Sequence, residues 1–237
     1  MKGKTNNRRR FIKSSGLLIV GAGMLPDIPF ARALSAREKL QEKEEEISPN
    51  EDLMREHGVL KRVLLAFQEV IDRICKRSGF PPSSVVDSAN IIRRFIEDYH
   101  EKLEENHLFP RFKKANTLVD LVDVLTIQHQ KGRIVTDRIL SLAKNDFKSE
   151  EDKQLLRSYL YSFIRMYSPH EAREDTVLFP TFKKIVSKDE YDSLGEEFED
   201  KEHELFGEDG FDVMVDKVGD IEKKLGIYDL SKFTPEI

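Results

Sequence analysis

The stretch His100-Glu101-Lys102-Leu103-Glu104-Glu105-Asn106-His107-Leu108-Phe109-Pro110-Arg111-Phe112-Lys113-Lys114 recurs seventy residues later. Its second copy is His170-Glu171-Ala172-Arg173-Glu174-Asp175-Thr176-Val177-Leu178-Phe179-Pro180-Thr181-Phe182-Lys183-Lys184, with nine of fifteen positions identical. Each copy is preceded by one further histidine: His57 lies 43 residues before His100, and His129 lies 41 before His170. The chain therefore reads as two similar helix pairs related by an approximate twofold. Residues four apart lie on one face of a helix, about one turn from each other. His100 with Glu104, and His170 with Glu174, can thus point the same way.

The surrounding pattern supplies the helices. Ser48-Pro49-Asn50-Glu51 is a start signal, with a capping serine, a proline suited to the first position and a glutamate three residues on. Leu53, Leu60, Leu64, Phe67, Ile71 and Ile74 then form an apolar stripe at helical spacing. This predicts a first helix that ends before Ser78-Gly79-Phe80-Pro81-Pro82. Further helices are expected over about Val85–Phe109, Thr117–Asn145 and Ser149–Phe179, with Pro110 and Pro180 ending or bending the second and fourth. Short connections make successive helices antiparallel neighbours, so the fold class is all-α: an up-down-up-down four-helix bundle over residues 48–184. Ser187-Lys188-Asp189-Glu190 opens another helix, Gly207 and Gly210 break it, and a short helix over about Val213–Leu225 follows. Residues 185–237 are therefore expected to form a helical extension packed on the bundle.

Composition limits the chemistry. In 237 residues there is one cysteine, Cys75, which rules out an internal disulfide and a cysteine-based cluster. With 39 Lys+Arg against 44 Asp+Glu, the net charge of −5 provides no general attraction to nucleic acid. There is no Ser-His-Asp order, phosphate-binding glycine loop or dinucleotide motif. Four histidines and two carboxylates converging inside a bundle have no inexpensive apolar explanation, because buried charges must be paired or must coordinate metal. Imidazole with carboxylate is a ligand set for iron, zinc, manganese or copper, and two carboxylates, one from each repeat, suit bridging two ions. The candidate ligands are His57, His100, Glu104, His129, His170 and Glu174. The register of the repeat aligns His107 with Val177, and His203 lies beyond the bundle in a charged run, so neither is expected to ligate.

The doubled H-x-x-x-E followed by Leu-Phe-Pro resembles the hemerythrin-like, or HHE cation-binding, family across roughly residues 48–184. The resemblance implies a four-helix bundle holding a non-haem di-iron centre with an oxo or hydroxo bridge, iron ahead of zinc or manganese. Its ligands would be His57, His100 and Glu104, His129, and His170 and Glu174, from helices one to four in turn. The oxygen-carrying members place two histidines one turn apart on the third helix, whereas Leu125 and Arg133 flank His129 here. Those members also bridge with an aspartate where Glu174 stands. Glu101, Glu56, Gln128, Tyr99 and Tyr167 are candidate replacements for the missing ligand. The expected function is binding or sensing of oxygen, nitric oxide or peroxide. If the chain is an enzyme, it is a di-iron oxidoreductase acting on oxygen or peroxide. The alternatives are a metal-binding or iron-homeostasis protein without turnover, and a bundle whose histidines are vestigial.

The first 33 residues read as an address. Asn7-Arg8-Arg9-Arg10-Phe11-Ile12-Lys13, an apolar run from Gly16 to Leu25, and Ala31-Arg32-Ala33 give a basic segment, an apolar segment and a cleavage signal in order. The Arg8-Arg9-x-Phe11-Ile12-Lys13 order resembles a twin-arginine export signal, which implies a periplasmic or otherwise exported protein that folds before translocation. The apolar run of about ten residues is too short to cross a bilayer core of roughly 30 Å, so no span is expected in the mature chain. Cleavage after Ala33 would remove seven basic residues and one acidic one, taking the net charge from −5 to −11. Residues 34–47 read as a charged lead-in. The expected ligand is a small diatomic molecule or peroxide, with no nucleic acid and with a redox partner that the sequence leaves unknown.

Overall fold

Ser48 Oγ accepts a hydrogen bond from the Glu51 amide at 3.3 Å and opens α1, Pro49–Cys75. The architecture follows from this helix outward. The computed structural model describes residues 47–207 and 210–236. The export signal and nearly all of the charged lead-in lie outside them. Helix α2 runs continuously over residues 82–114 and α3 over Val119–Ala143. Helix α4 begins at Glu150, with Ser149 Oγ accepting from the Asp152 amide at 2.9 Å, and continues to Ile185. Helix α1 packs on α2 and α4, and α3 packs on the same two, which is the expected up-down-up-down bundle. Among the described residues there are helices and no strands, and no helix is long and apolar enough to cross a membrane.

The extension comprises α5, Lys188–Phe206, and α6, Gly210–Leu225. Helix α5 is capped by Ser187 and ends at Gly207, whose φ of +86° suits glycine. Helix α6 lies against α1 and α2, and α5 lies against α1. Arg62 of α1 grips Glu222 of α6 with two hydrogen bonds of 2.9 and 2.6 Å, a bidentate pairing. Phe206 meets Phe95 and Tyr99 edge-on, so the extension completes the aromatic core along α2.

Two expectations need correction. The third helix begins at Val119 rather than Thr117, because Leu118 adopts a left-handed backbone, φ +51°, and packs its side chain on the core. Pro110 and Pro180 do not end their helices, which run on as Phe109–Lys114 and Phe179–Ile185. The reason is a wide π turn before each proline, over Glu104–Leu108 and Glu174–Leu178. The Phe109 amide reaches the Glu104 carbonyl and the Phe179 amide reaches the Glu174 carbonyl, five residues back. The extra residue in the turn absorbs both the missing N–H and the clash of the proline ring with the preceding turn. A further π segment, Ile92–His100, lies earlier in α2.

Helices α3 and α4 approach closely at Gly132, where a Cβ would lie 2.0 Å from the Tyr167 hydroxyl. Gly132→Ala should therefore lower stability by about 1–3 kcal/mol through overpacking, despite the helix preference of alanine, about 1 kcal/mol. Denaturant unfolding of the full chain checks this, and adding Tyr167→Phe should recover part of the loss.

Candidate metal centre

Helices α1 and α2 bring His57 and His100 together with ring centroids 4.7 Å apart, and α3 and α4 bring His129 and His170 to 5.1 Å. Glu104 and Glu174 lie between the two pairs. His57 Nε2 is 3.4 Å from Glu174 and His170 Nε2 is 3.1 Å from it. His129 Nε2 is 3.4 Å and His100 Nε2 3.7 Å from Glu104. Each glutamate thus approaches one imidazole from each pair. All six side chains are buried. Donor atoms of His57, His100 and Glu104 lie within 4.8 Å of one another, as do those of His129, His170 and Glu174.

The orientation of each imidazole is set from behind. His57 Nδ1 donates to Asp175 at 2.7 Å, and His100 Nδ1 to Glu56 at 2.6 Å. His129 Nδ1 donates to Glu105 at 3.1 Å, and His170 Nδ1 to the Gln128 side-chain carbonyl at 2.8 Å. With Nδ1 so engaged, every Nε2 faces the centre, the arrangement that fixes a metal-ligating tautomer once Nε2 is deprotonated. The rings are also backed by apolar faces: Phe179 stacks on His57 at 5.5 Å and Phe109 on His129 at 5.4 Å. These are the phenylalanines that the π turns present.

The donor set fits a cation. Both carboxylate oxygens of Glu104, both of Glu174, and Nε2 of His129 are buried without a hydrogen bond. Groups of this kind are rare in a packed interior unless something else satisfies them. Protonation shows the same tension. Burial lowers His57, but its bond to Asp175 and the nearby charge of Glu174 outweigh this and push it up to about 9. Burial, with Glu174 and Glu101 close by, pushes Glu104 well above the usual carboxylate range. Burial raises Glu174 too, yet His170 and His57 hold it well below that range. His100 is driven down by burial and by the neighbouring His57.

The proposed replacement ligands have other engagements. Glu56 and Gln128 sit behind His100 and His170. The Tyr167 hydroxyl donates to Glu101 at 2.6 Å, and Arg133 donates to the other oxygen of Glu101 at 2.6 Å and to Glu105 at 2.7 Å. The Tyr99 hydroxyl lies 3.5 Å from the Phe198 carbonyl. Leu125, one turn before His129, is core. His107 lies outside the site against Glu197 and Phe198, and His203 joins no group of candidate ligands among the described residues.

The sequence reading passed over Asp175 and Glu105, the acids one residue after each inward glutamate. It also passed over Glu171, which is buried, has one oxygen without a hydrogen bond and is pushed by burial up to about 7. The repeat held the signal for the first two, since both copies carry an acid at that position.

Comparison with known proteins agrees with this geometry. Uncharacterized proteins from Mycobacterium bovis and from two strains of Mycobacterium tuberculosis are each 50% identical to the chain over 195 residues, which covers 82% of this chain and 76% of theirs. No solved structure gives a significant match. The family model described as the hemerythrin HHE cation-binding domain matches residues 48–182, which contain all six inward residues. The chain belongs to the hemerythrin HHE cation-binding family.

Proposed function

We propose that the chain is an exported non-haem di-iron protein that binds or senses oxygen or a related small molecule, such as nitric oxide or peroxide. The observation that carries the reading is the placement of two unsatisfied carboxylates between two pairs of imidazoles whose Nε2 atoms all face inward. His57 and His100 would hold one ion, His129 and His170 the other, and Glu104 and Glu174 would be shared. Iron bound there would supply one-electron redox chemistry and positions open to a small ligand, since this protein set falls short of six ligands per ion. The chain itself orients the imidazoles through the four Nδ1 bonds and excludes water with Phe109, Phe179 and the surrounding core. The second reading, iron holding without turnover, uses the same residues.

Metal analysis of anaerobically purified protein should give about two irons per chain, with an optical spectrum that changes on admission of air. One zinc and an unchanging spectrum would sink the di-iron reading. Glu104→Ala and Glu174→Ala should each lose metal, whereas His107→Ala should keep it.

Metal uptake should also depend on pH. A raised His57 stabilises the apo fold fully below its ordinary value of 6.5 and loses that contribution as pH rises through about 9. The same proton must leave before a cation binds, so Zn²⁺ affinity should rise across that window with release of protons. Calorimetry in buffers of different ionisation enthalpy measures the protons released.

Export rests on the Arg8-Arg9 signal. Replacing both arginines with lysine should keep the protein in the cytoplasm. Amino-terminal sequencing of the exported wild type should begin after Ala33.

A further inference from the structure

The inner residues obey the twofold, but the groups behind them do not. Behind His57 and His100 stand two carboxylates, Asp175 and Glu56. Beyond His57, Asp175 pairs with Lys61, 3.1 Å away and half exposed, so solvent and salt screen that pair. Glu56 also shares a buried group with Asp52 and Glu202, their oxygens within 4.8 Å of one another, and Glu202 comes from the extension.

Behind His129 and His170 the charge is different. Glu105 backs His129, but Arg133 and Lys102 bind the same carboxylate at 2.7 and 2.6 Å. His170 is backed by a neutral amide, Gln128, at the position where the other half has Glu56. A carboxylate accepting from Nδ1 makes an imidazole a stronger donor at Nε2, and such outer partners typically change metal affinity by 10–100-fold. An amide does this less, and a carboxylate already paired with two cations has less negative charge to lend.

Resting on the two-ion reading above, we propose that the two metal positions are unequal. The His57–His100 position is the electron-rich one, fills first and favours the more highly charged ion. The pair Glu56 and Gln128 sets the difference, both acting as positioning residues through the imidazoles. Glu104 and Glu174, shared between the positions, do not discriminate.

The test is a Zn²⁺ titration of the apo full-length chain against a chromogenic chelator, read as two stepwise dissociation constants. In the wild type the steps should differ by about 10–100-fold. Gln128→Glu should tighten the weaker step about tenfold and leave the tighter one in place. Glu56→Gln should weaken the tighter step by a similar factor. If the buried surroundings of Glu56 prevent that variant from folding, Gln128→Glu alone decides the matter. A second readout is ⁵⁷Fe Mössbauer spectroscopy: one equivalent should give a single quadrupole doublet, and the second equivalent should add a distinct one. Two ions with no more than the statistical separation of identical sites, or a Gln128→Glu variant in which neither step moves, would overturn the inequality and leave the two-ion reading intact. Fewer than two ions bound would overturn the two-ion reading itself.

Discussion

Two carboxylates buried between four imidazoles are the constraint from which the rest of the bundle takes its form. Removing an ionised carboxylate from water costs several kcal/mol even after relaxation, and Glu104 and Glu174 recover little of that through hydrogen bonds. What offsets it is the set of imidazoles around them, and each imidazole requires a partner on its far side. The outer acids Asp175, Glu105 and Glu56 require cations or water in turn, which Lys61, Arg133 and Lys102 supply in part near the surface. Polarity thus passes outward in shells, and a helical core of phenylalanine, leucine and isoleucine surrounds it. A metal ion bound there would complete the innermost shell and tie stability to metal supply.

The twofold spreads this task over four helices. The long helices α2 and α4 carry the paired His and Glu, while α1 and α3 carry one histidine each and, next to it, the group that backs the histidine of a neighbouring helix. No helix can build the centre alone. The extension binds the α1–α2 side through Arg62 and Glu222, and it meets α4 where Tyr191 lies against Phe182. The departure from the twofold therefore lies in the outer groups and the extension rather than in the inner six.

Much of this was legible in the residues. The repeat pointed to four of the inward side chains and the matched spacing of His57 and His129 to the other two, while the stripe from Leu53 to Ile74 with its capping serine placed α1, because periodicity and caps are local properties of sequence. The Nδ1 partners were less legible. Glu56 and Gln128 adjoin histidines on other helices, and only assembly shows which ring each one faces. The helix ends expected at Phe109 and Phe179 fell short for a related reason: the rule that a proline ends a helix assumes a regular turn before it, and the π turn removes that assumption. Gly132 gave no signal in the sequence, since its meaning lies in a tyrosine on the facing helix.

The π turns also make spacing, rather than residue type, the determinant of what closes the pocket. An α-helix advances about 100° per residue, so one additional residue rotates everything beyond it by more than a quarter turn. That rotation lets Glu104 and Phe109 face the same centre, and likewise Glu174 and Phe179. Shortening either turn by one residue would leave every side chain in the stretch chemically unchanged and yet send the aromatic lid to another side of the helix. Here the length of the chain acts as information in its own right, and a gap of one residue carries more consequence than most exchanges of one amino acid for another.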